Sequence, residues 1–125
     1  MDIVEIQDTE ELYRRIHPYH IKPDGTVSSA AFKGGDSYEL SVELARLTTP
    51  EETVQRGRQL GRECVGLAIL MAGQARELSQ EVRHDPLGPD APGGPNPAHA
   101  LIIGQKTEPI AKQLARSCRF FPMNE

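Results

Sequence analysis

No apolar stretch of this 125-residue sequence approaches the roughly 18 residues that a membrane-spanning helix needs. The longest, Val65 to Ala72, is interrupted by Gly66 and stops at Gly73. An export signal is missing as well, since it requires a basic segment followed by an apolar one and Met1-Asp2-Ile3-Val4-Glu5 is acidic. The expectation is a cytoplasmic protein that engages no membrane. Cysteine is scarce: Cys64 and Cys118 stand alone, neither in a CxxC pair, so thiolate zinc ligation is not expected. Both read as small buried hydrophobes that a cytoplasmic protein keeps reduced. Positive charge is in deficit, with 14 Lys and Arg against 18 Asp and Glu. The resulting net charge of -4 argues against a protein built to coat nucleic acid.

Familiar catalytic and phosphate-binding motifs are also missing. No Gly-x-Ser-x-Gly surrounds a serine, and Gly34-Gly35 lacks the Lys-Ser/Thr of a P-loop. No His-x-x-x-His pair suggests a helical metal site, so neither metal nor cofactor is expected.

What is present fits one small domain, because the length falls where domains cluster and 38% hydrophobic residues suffice for a modest core. Residues 1–11 carry Asp2, Glu5, Asp8, Glu10 and Glu11 without a basic residue and read as an acidic, partly flexible leader. Residues 12–122 read as the α+β domain. Leu12 to Ile16 predicts a strand, ended by Pro18. Pro23-Asp24-Gly25 predicts a turn, because proline presets φ and glycine accepts a positive one. Thr26 to Phe32 reads as a second strand, Gly34-Gly35-Asp36-Ser37 as a turn, and Tyr38 to Leu44 as a third strand. In that third strand Leu40, Val42 and Leu44 alternate with Glu39, Ser41 and Glu43. The three predict an antiparallel meander with one wet face.

Thr49-Pro50 followed by Glu52 is a capping box, predicting a helix to about Arg56 that Gly57 stops. Val65 to Ala72 fits a buried strand followed by a helix over Gln74 to Gln80, although a single helix from Cys64 to Gln80 satisfies the same pattern. Glu81 to His84 reads as a short strand. The segment 86–97 is a surface loop, with prolines at 86, 89, 92, 95 and 97 and Gly88, Gly93 and Gly94 between them. Ala98 to Gly104 resumes as a strand. Thr107 caps a last helix with Ile110, Ala111, Leu114 and Ala115 inward, and Cys118 to Phe121 reads as an edge strand. The sum is an antiparallel sheet of four to six strands, packed on one face by two or three helices.

Four groups of residues could carry chemistry. Arg14-Arg15-Ile16-His17 concentrates cationic groups in an otherwise acidic chain, which suits an anion; the plainer account pairs Arg14 and Arg15 with the acidic leader. Ser28-Ser29, followed by small residues, leaves room for a ligand to approach the backbone, or is simple sheet surface. His84 and His99 lie at the ends of two strands joined by the 86–97 loop. If those strands pair as a hairpin, the two imidazoles meet at its mouth as an acid–base pair, or bind a metal with Asp85. A hydrogen-bonded structural role for His99 competes with this. Lys106 stands beside the N-terminus of the last helix, where backbone N–H groups attract anions or are simply capped.

The segments Leu12-Tyr13-Arg14-Arg15-Ile16-His17-Pro18, Asp24-Gly25 through Ser28-Ser29-Ala30-Ala31-Phe32, Leu40-Ser41-Val42 and Asn96-Pro97-Ala98-His99-Ala100 resemble a group of small bacterial proteins with no assigned activity. That resemblance covers most of residues 12–117 and implies a compact bacterial domain. The chain is more faintly similar to the NAD-consuming RES-type toxins, which begin with a Tyr-Arg-like strand and carry an Asn-Pro-x-His element. It departs from them at their Gly-Gly-Arg-Trp segment, having Gly34-Gly35-Asp36 and no tryptophan.

The function expected from these residues is the binding of an anionic or nucleotide-like ligand in a pocket of Arg14, Arg15, His17, Ser28, Ser29 and Lys106. Two alternatives stand beside it. One is a hydrolase or transferase using His84 and His99; the other is an accessory module that docks a protein partner through the acidic leader and the proline-rich loop.

Overall fold

A computed structural model describes residues 2–33 and 38–123; the turn expected at Gly34 to Ser37 lies outside the described residues. Among the described residues six strands form one sheet: β1 (Glu11–Ile16), β2 (Glu39–Leu44), β3 (Gly66–Met71), β4 (Glu81–His84), β5 (His99–Ile103) and β6 (Arg119–Pro122). Their order is β4-β5-β2-β1-β3-β6, and every neighbouring pair is antiparallel. Three helices accompany them: α1 (Pro50–Gln59), α2 (Ala72–Arg76) and α3 (Glu108–Ser117). The fold is thus a small α+β sheet with helices. No helix among the described residues is long and apolar enough to cross a membrane.

The helices cover both faces, not one, because the central strands are apolar on both. In β3, Ala68 and Leu70 face the larger core with Leu12, Ile16, Leu40 and Leu44, under α2 and α3. Its alternate residues Leu67 and Ile69 join Tyr13, Cys64 and Val54 of α1 on the other side. A continuous apolar run such as Val65 to Ala72 is what a doubly covered strand requires. The face of β2 expected to be wet is accordingly covered too, and Glu43 on it is only 2% exposed.

Thr26 to Phe32 is not a strand. Val27 makes an isolated bridge to Ile21, and Ser29–Phe32 turns as a 3₁₀ helix whose N-cap hydroxyl, Ser28 Oγ, accepts from Ala30 N–H at 3.2 Å. A small-residue segment with a serine offering its backbone a local partner favours the turn over the ladder. The turn at 22–25 forms as expected, with Gly25 at φ 87° and its N–H donating to Lys22 O.

Thr49 Oγ1 accepts from Glu52 N–H at 3.1 Å and starts α1 as the capping box requires. The helix runs past Gly57 to Gln59, and Gly61, at φ 77°, supplies the left-handed stop instead. Gly57 serves a different purpose: a Cβ there would lie 2.6 Å from Arg15 Cδ, so its bareness lets Arg15 cross the helix. Residues 2–10 of the acidic leader form no regular element, and Glu11 opens β1. Within the leader Ile6 is buried, Asp8 pairs with Arg76 at 2.6 Å, and Glu10 pairs with Arg46. Arg14 and Arg15 therefore do not find their partners in the leader.

Candidate functional site

Side chains alternate along a strand, so residues opposite one another on adjacent strands share a face. His99 of β5 stands opposite Glu43 of β2, and Glu43 stands opposite Tyr13 of β1. Ser41 and Arg15 lie two residues along from these. Asp85 just beyond β4 donates its N–H to His99 O at 2.9 Å. Neighbouring strands thus deliver Asp85, His99, Ser41, Glu43 and Arg15 to the face that α1 covers.

The β1–β2 ladder stops after Tyr13↔Glu43 although both strands continue. Arg14 occupies the opened seam, with NH1 donating to Ser41 O at 3.0 Å and Nε to Ala31 O at 3.1 Å. Beside it Arg15, Ser41 and Arg62 line a small recess, and the same three line the adjoining cleft of about 210 Å³. Arg56 of α1, Leu60 just past its end, and Leu87, Pro92, Gly93, Gly94 and Asn96 of the 86–97 loop wall that cleft. The loop is shaped for this: Leu87 and Asn96 bridge its base, and Gly93 and Gly94, both at positive φ, fold it onto Leu60.

Glu43 organises the polar groups. It accepts from Arg15 NH1 at 2.8 Å, Thr53 Oγ1 at 2.8 Å, Asn96 Nδ2 at 3.0 Å and Arg56 Nε at 3.1 Å. Burial alone would raise its pKa, but the hydrogen bonds from Arg56 and Thr53 and the charges of Arg56 and Arg15 outweigh burial and hold it below the ordinary carboxylate value. One carboxylate so placed cannot neutralise its surroundings. Among the described residues Arg14 has only carbonyl partners, and burial, then the charges of Arg15 and Arg62, bring its pKa down to about 10. Arg62 is exposed and forms no ion pair among the described residues. Arg15 and Arg56 therefore hold the buried carboxylate between them, and Arg62 lines the cleft beside them without an ion-pair partner among the described residues.

His99 adds a titratable group to the same cleft. Its Nδ1 faces two acceptors, Asp85 O at 2.9 Å and Asp85 Oδ2 at 3.2 Å, and so carries the proton. Nε2 is left as the acceptor for Ser41 Oγ–H at 3.3 Å.

The other expected site residues lie elsewhere. His84 and His99 do not form a pair: His84 registers with Ala100, one residue from His99, and a one-residue step places the two on opposite faces. His84 Nδ1 accepts from Val4 N–H at 2.9 Å, so Nε2 is protonated and donates to Pro97 O at 2.7 Å. Both nitrogens are committed to backbone groups and the ring is 5% exposed. His17 caps a 3₁₀ turn at the far end of β1, accepting from Tyr19 N–H at 3.0 Å, and packs on the Tyr19 ring. Ser28 and Ser29 border a separate groove beside α3 that Lys112 and Arg116 also line; Ser29 Oγ–H donates to Glu108 there. Lys106 donates to three carbonyls, Tyr38, Ile102 and Gly104, and burial lowers its pKa to about 8. Of the expected residues, the cleft brings together Arg15 and His99, and Arg14 lines the adjoining recess.

Sequence reasoning missed Glu43, Ser41, Arg56 and Arg62 as members of this site. Glu43 and Ser41 looked like the solvated half of an alternating strand. The one signal that pointed to the others is the recurrence of arginine at 56, 58 and 62 around the end of a helix. No group of three or more His, Cys, Asp or Glu among the described residues could hold a metal ion. Comparison of the chain with protein-family models, with curated proteins and with solved structures gives no match.

Proposed function

We propose that this protein binds a small anionic or nucleotide-like ligand in the cleft between β1, β2, α1 and the 86–97 loop. The observation that supports the reading is that Arg15, Arg56 and Arg62 line the cleft while no Asp or Glu among the described residues does. Carboxylate and phosphate are the groups that planar guanidinium donors match. Arg62 supplies the free charge at the mouth, while Arg15 is held ready by Glu43. Size narrows the ligand further. Pockets that enclose a drug-sized molecule hold roughly 300–1,000 Å³, and this cleft of about 210 Å³ takes a phosphate or carboxylate group with a few attached atoms. The rest of a nucleotide would lie outside it, in water. In this reading the protein is bacterial and cytoplasmic, and it works on a small ligand, not on nucleic acid or a membrane.

Titration calorimetry with inorganic phosphate and a nucleotide panel tests the proposal. Arg62→Ala removes an exposed side chain with no ion-pair partner among the described residues and should leave stability within about 0.5 kcal/mol. A hydrogen bond to a charged group contributes about 1.5–3 kcal/mol, so affinity should fall about tenfold or more. Added salt should weaken binding to the native protein as well, since the mouth of the cleft is open to solvent. Equal affinities for native protein and variant would remove Arg62 from the site, and no binding of any anion would remove the site.

A further inference from the structure

Anion binding leaves one arrangement in the cleft without a role. Asp85, His99 and Ser41 stand in line across three adjacent strands, joined at 3.2 Å and 3.3 Å through the two nitrogens of one imidazole. We propose that Ser41 is a nucleophile activated by His99, and that it cleaves carboxylic esters whose acyl part carries a negative charge. The proposal rests on the anion-binding reading of the same cleft.

Three features support it. The tautomer is the one a general base needs: Asp85 fixes the proton on Nδ1 through both its carbonyl and its carboxylate, so Nε2 is free to accept. A Ser–His separation of 3.3 Å is within the looser range seen when no substrate is bound. The nucleophile is also held in place, since Ser41 O accepts from the half-buried Arg14. Ser41 lines both the recess and the cleft, with Arg62 lining both beside it, so a substrate charge held by Arg62 lies near the hydroxyl. A hydroxyl bonded to histidine merely to satisfy a sheet would need none of this positive surround.

The chemistry balances with water as the second reactant. Ser41 Oγ attacks the ester carbonyl as its proton passes to His99 Nε2, giving a tetrahedral oxyanion in a field of guanidiniums. Collapse breaks the bond to the alcohol oxygen, which takes the proton from Nε2 and leaves an acyl group on Ser41. Water then attacks this acyl-serine, giving its proton to Nε2. Release of the carboxylic acid returns the proton to Ser41 Oγ.

The test uses the full chain and three measurements. Diisopropyl fluorophosphate should label the native protein on Ser41, as located by peptide mass spectrometry. Ser41→Ala should not label, and His99→Gln should label about 10²-fold more slowly or worse, the usual worth of a general base. Mono-4-nitrophenyl succinate should release nitrophenolate faster than 4-nitrophenyl acetate, and Arg62→Ala should reduce that preference about tenfold. Calorimetry with inorganic phosphate on the native protein separates the two readings. Phosphate binding with an unlabelled Ser41, or with equal labelling of His99→Gln, overturns the nucleophile and leaves anion binding standing. A labelled Ser41 with neither phosphate binding nor a preference for the succinate ester overturns the substrate class and the anion reading together. Circular dichroism of Ser41→Ala, which removes a single oxygen, checks that the fold survives.

Discussion

The two faces of the sheet handle polar side chains in opposite ways. On the face under α2 and α3, His84 is buried and both its nitrogens are spent on backbone groups of Val4 and Pro97. On the face under α1, Glu43 bonds to the side chains of Arg15 and Arg56, His99 bonds to those of Asp85 and Ser41, and Arg15, Arg56, Ser41 and His99 border a cleft. The difference follows from what covers each face. The first is sealed by the larger apolar cluster, where an unmatched polar group is costly. The second has a small apolar cluster around Tyr13, Val54 and Leu67, and beyond it the covering layer is an arginine-bearing helix end and a proline-rich loop. Polar residues on a sealed face are part of the architecture, whereas a polar network beside an opening can meet a ligand.

The largest expected effect breaks the second face. Glu43→Ala leaves Arg15 and Arg56 without their shared carboxylate and should destabilise the protein by about 3–5 kcal/mol, as removal of one partner from a buried ion pair does. Urea denaturation measures it, and a loss under about 1 kcal/mol would mean that water replaces the carboxylate. His84→Ala on the sealed face orphans Val4 N–H and Pro97 O, at about 1–3 kcal/mol for each unmatched group. That variant should lose stability yet bind phosphate as the native protein does, since His84 faces away from the cleft. Weakened binding would show that the two faces communicate.

A smaller effect concerns acid. The Glu43 pKa is depressed in the fold, so its ionisation contributes stability that is fully present above the unfolded value. That contribution is lost as pH falls from about 4.5 through the lower folded value. Glu43→Gln should therefore show a flatter decline in stability than the native protein over that acid range, read as melting temperature against pH. Parallel declines would assign the acid sensitivity to other carboxylates.

The order and type of most elements were legible in the sequence because local physics sets them. Thr49-Pro50 with Glu52 capped α1 as read, and the apolar run at 65–72 became β3 followed by α2. Reading failed where a residue's meaning comes from a distant neighbour. Glu43 alternates with Leu40, Val42 and Leu44 as any solvated strand residue would; only the arrival of α1 above it converts it into a buried hub. The pairing of His84 with His99 failed by one residue of register, which loop length alone does not set across the long connection from β4 to β5. Ser28 and Ser29 read as strand because nothing in a short run of small residues announces that a hydroxyl will cap a 3₁₀ turn.

Gly57 offers the smallest effect and the closest view of the cleft. Alanine there gains about 1 kcal/mol of helix propensity. Against this, its Cβ meets Arg15 Cδ at 2.6 Å, so the arginine stem must move aside. The stem is flexible, but its NH1 is held by Glu43 and a shift weakens that charged hydrogen bond. The two effects oppose, and Gly57→Ala should change stability by no more than about 1 kcal/mol while weakening phosphate binding several-fold. Paired melting curves and calorimetry decide the matter. If stability rises by the full helix increment and affinity is unchanged, Arg15 yields without consequence and takes no part in holding the anion.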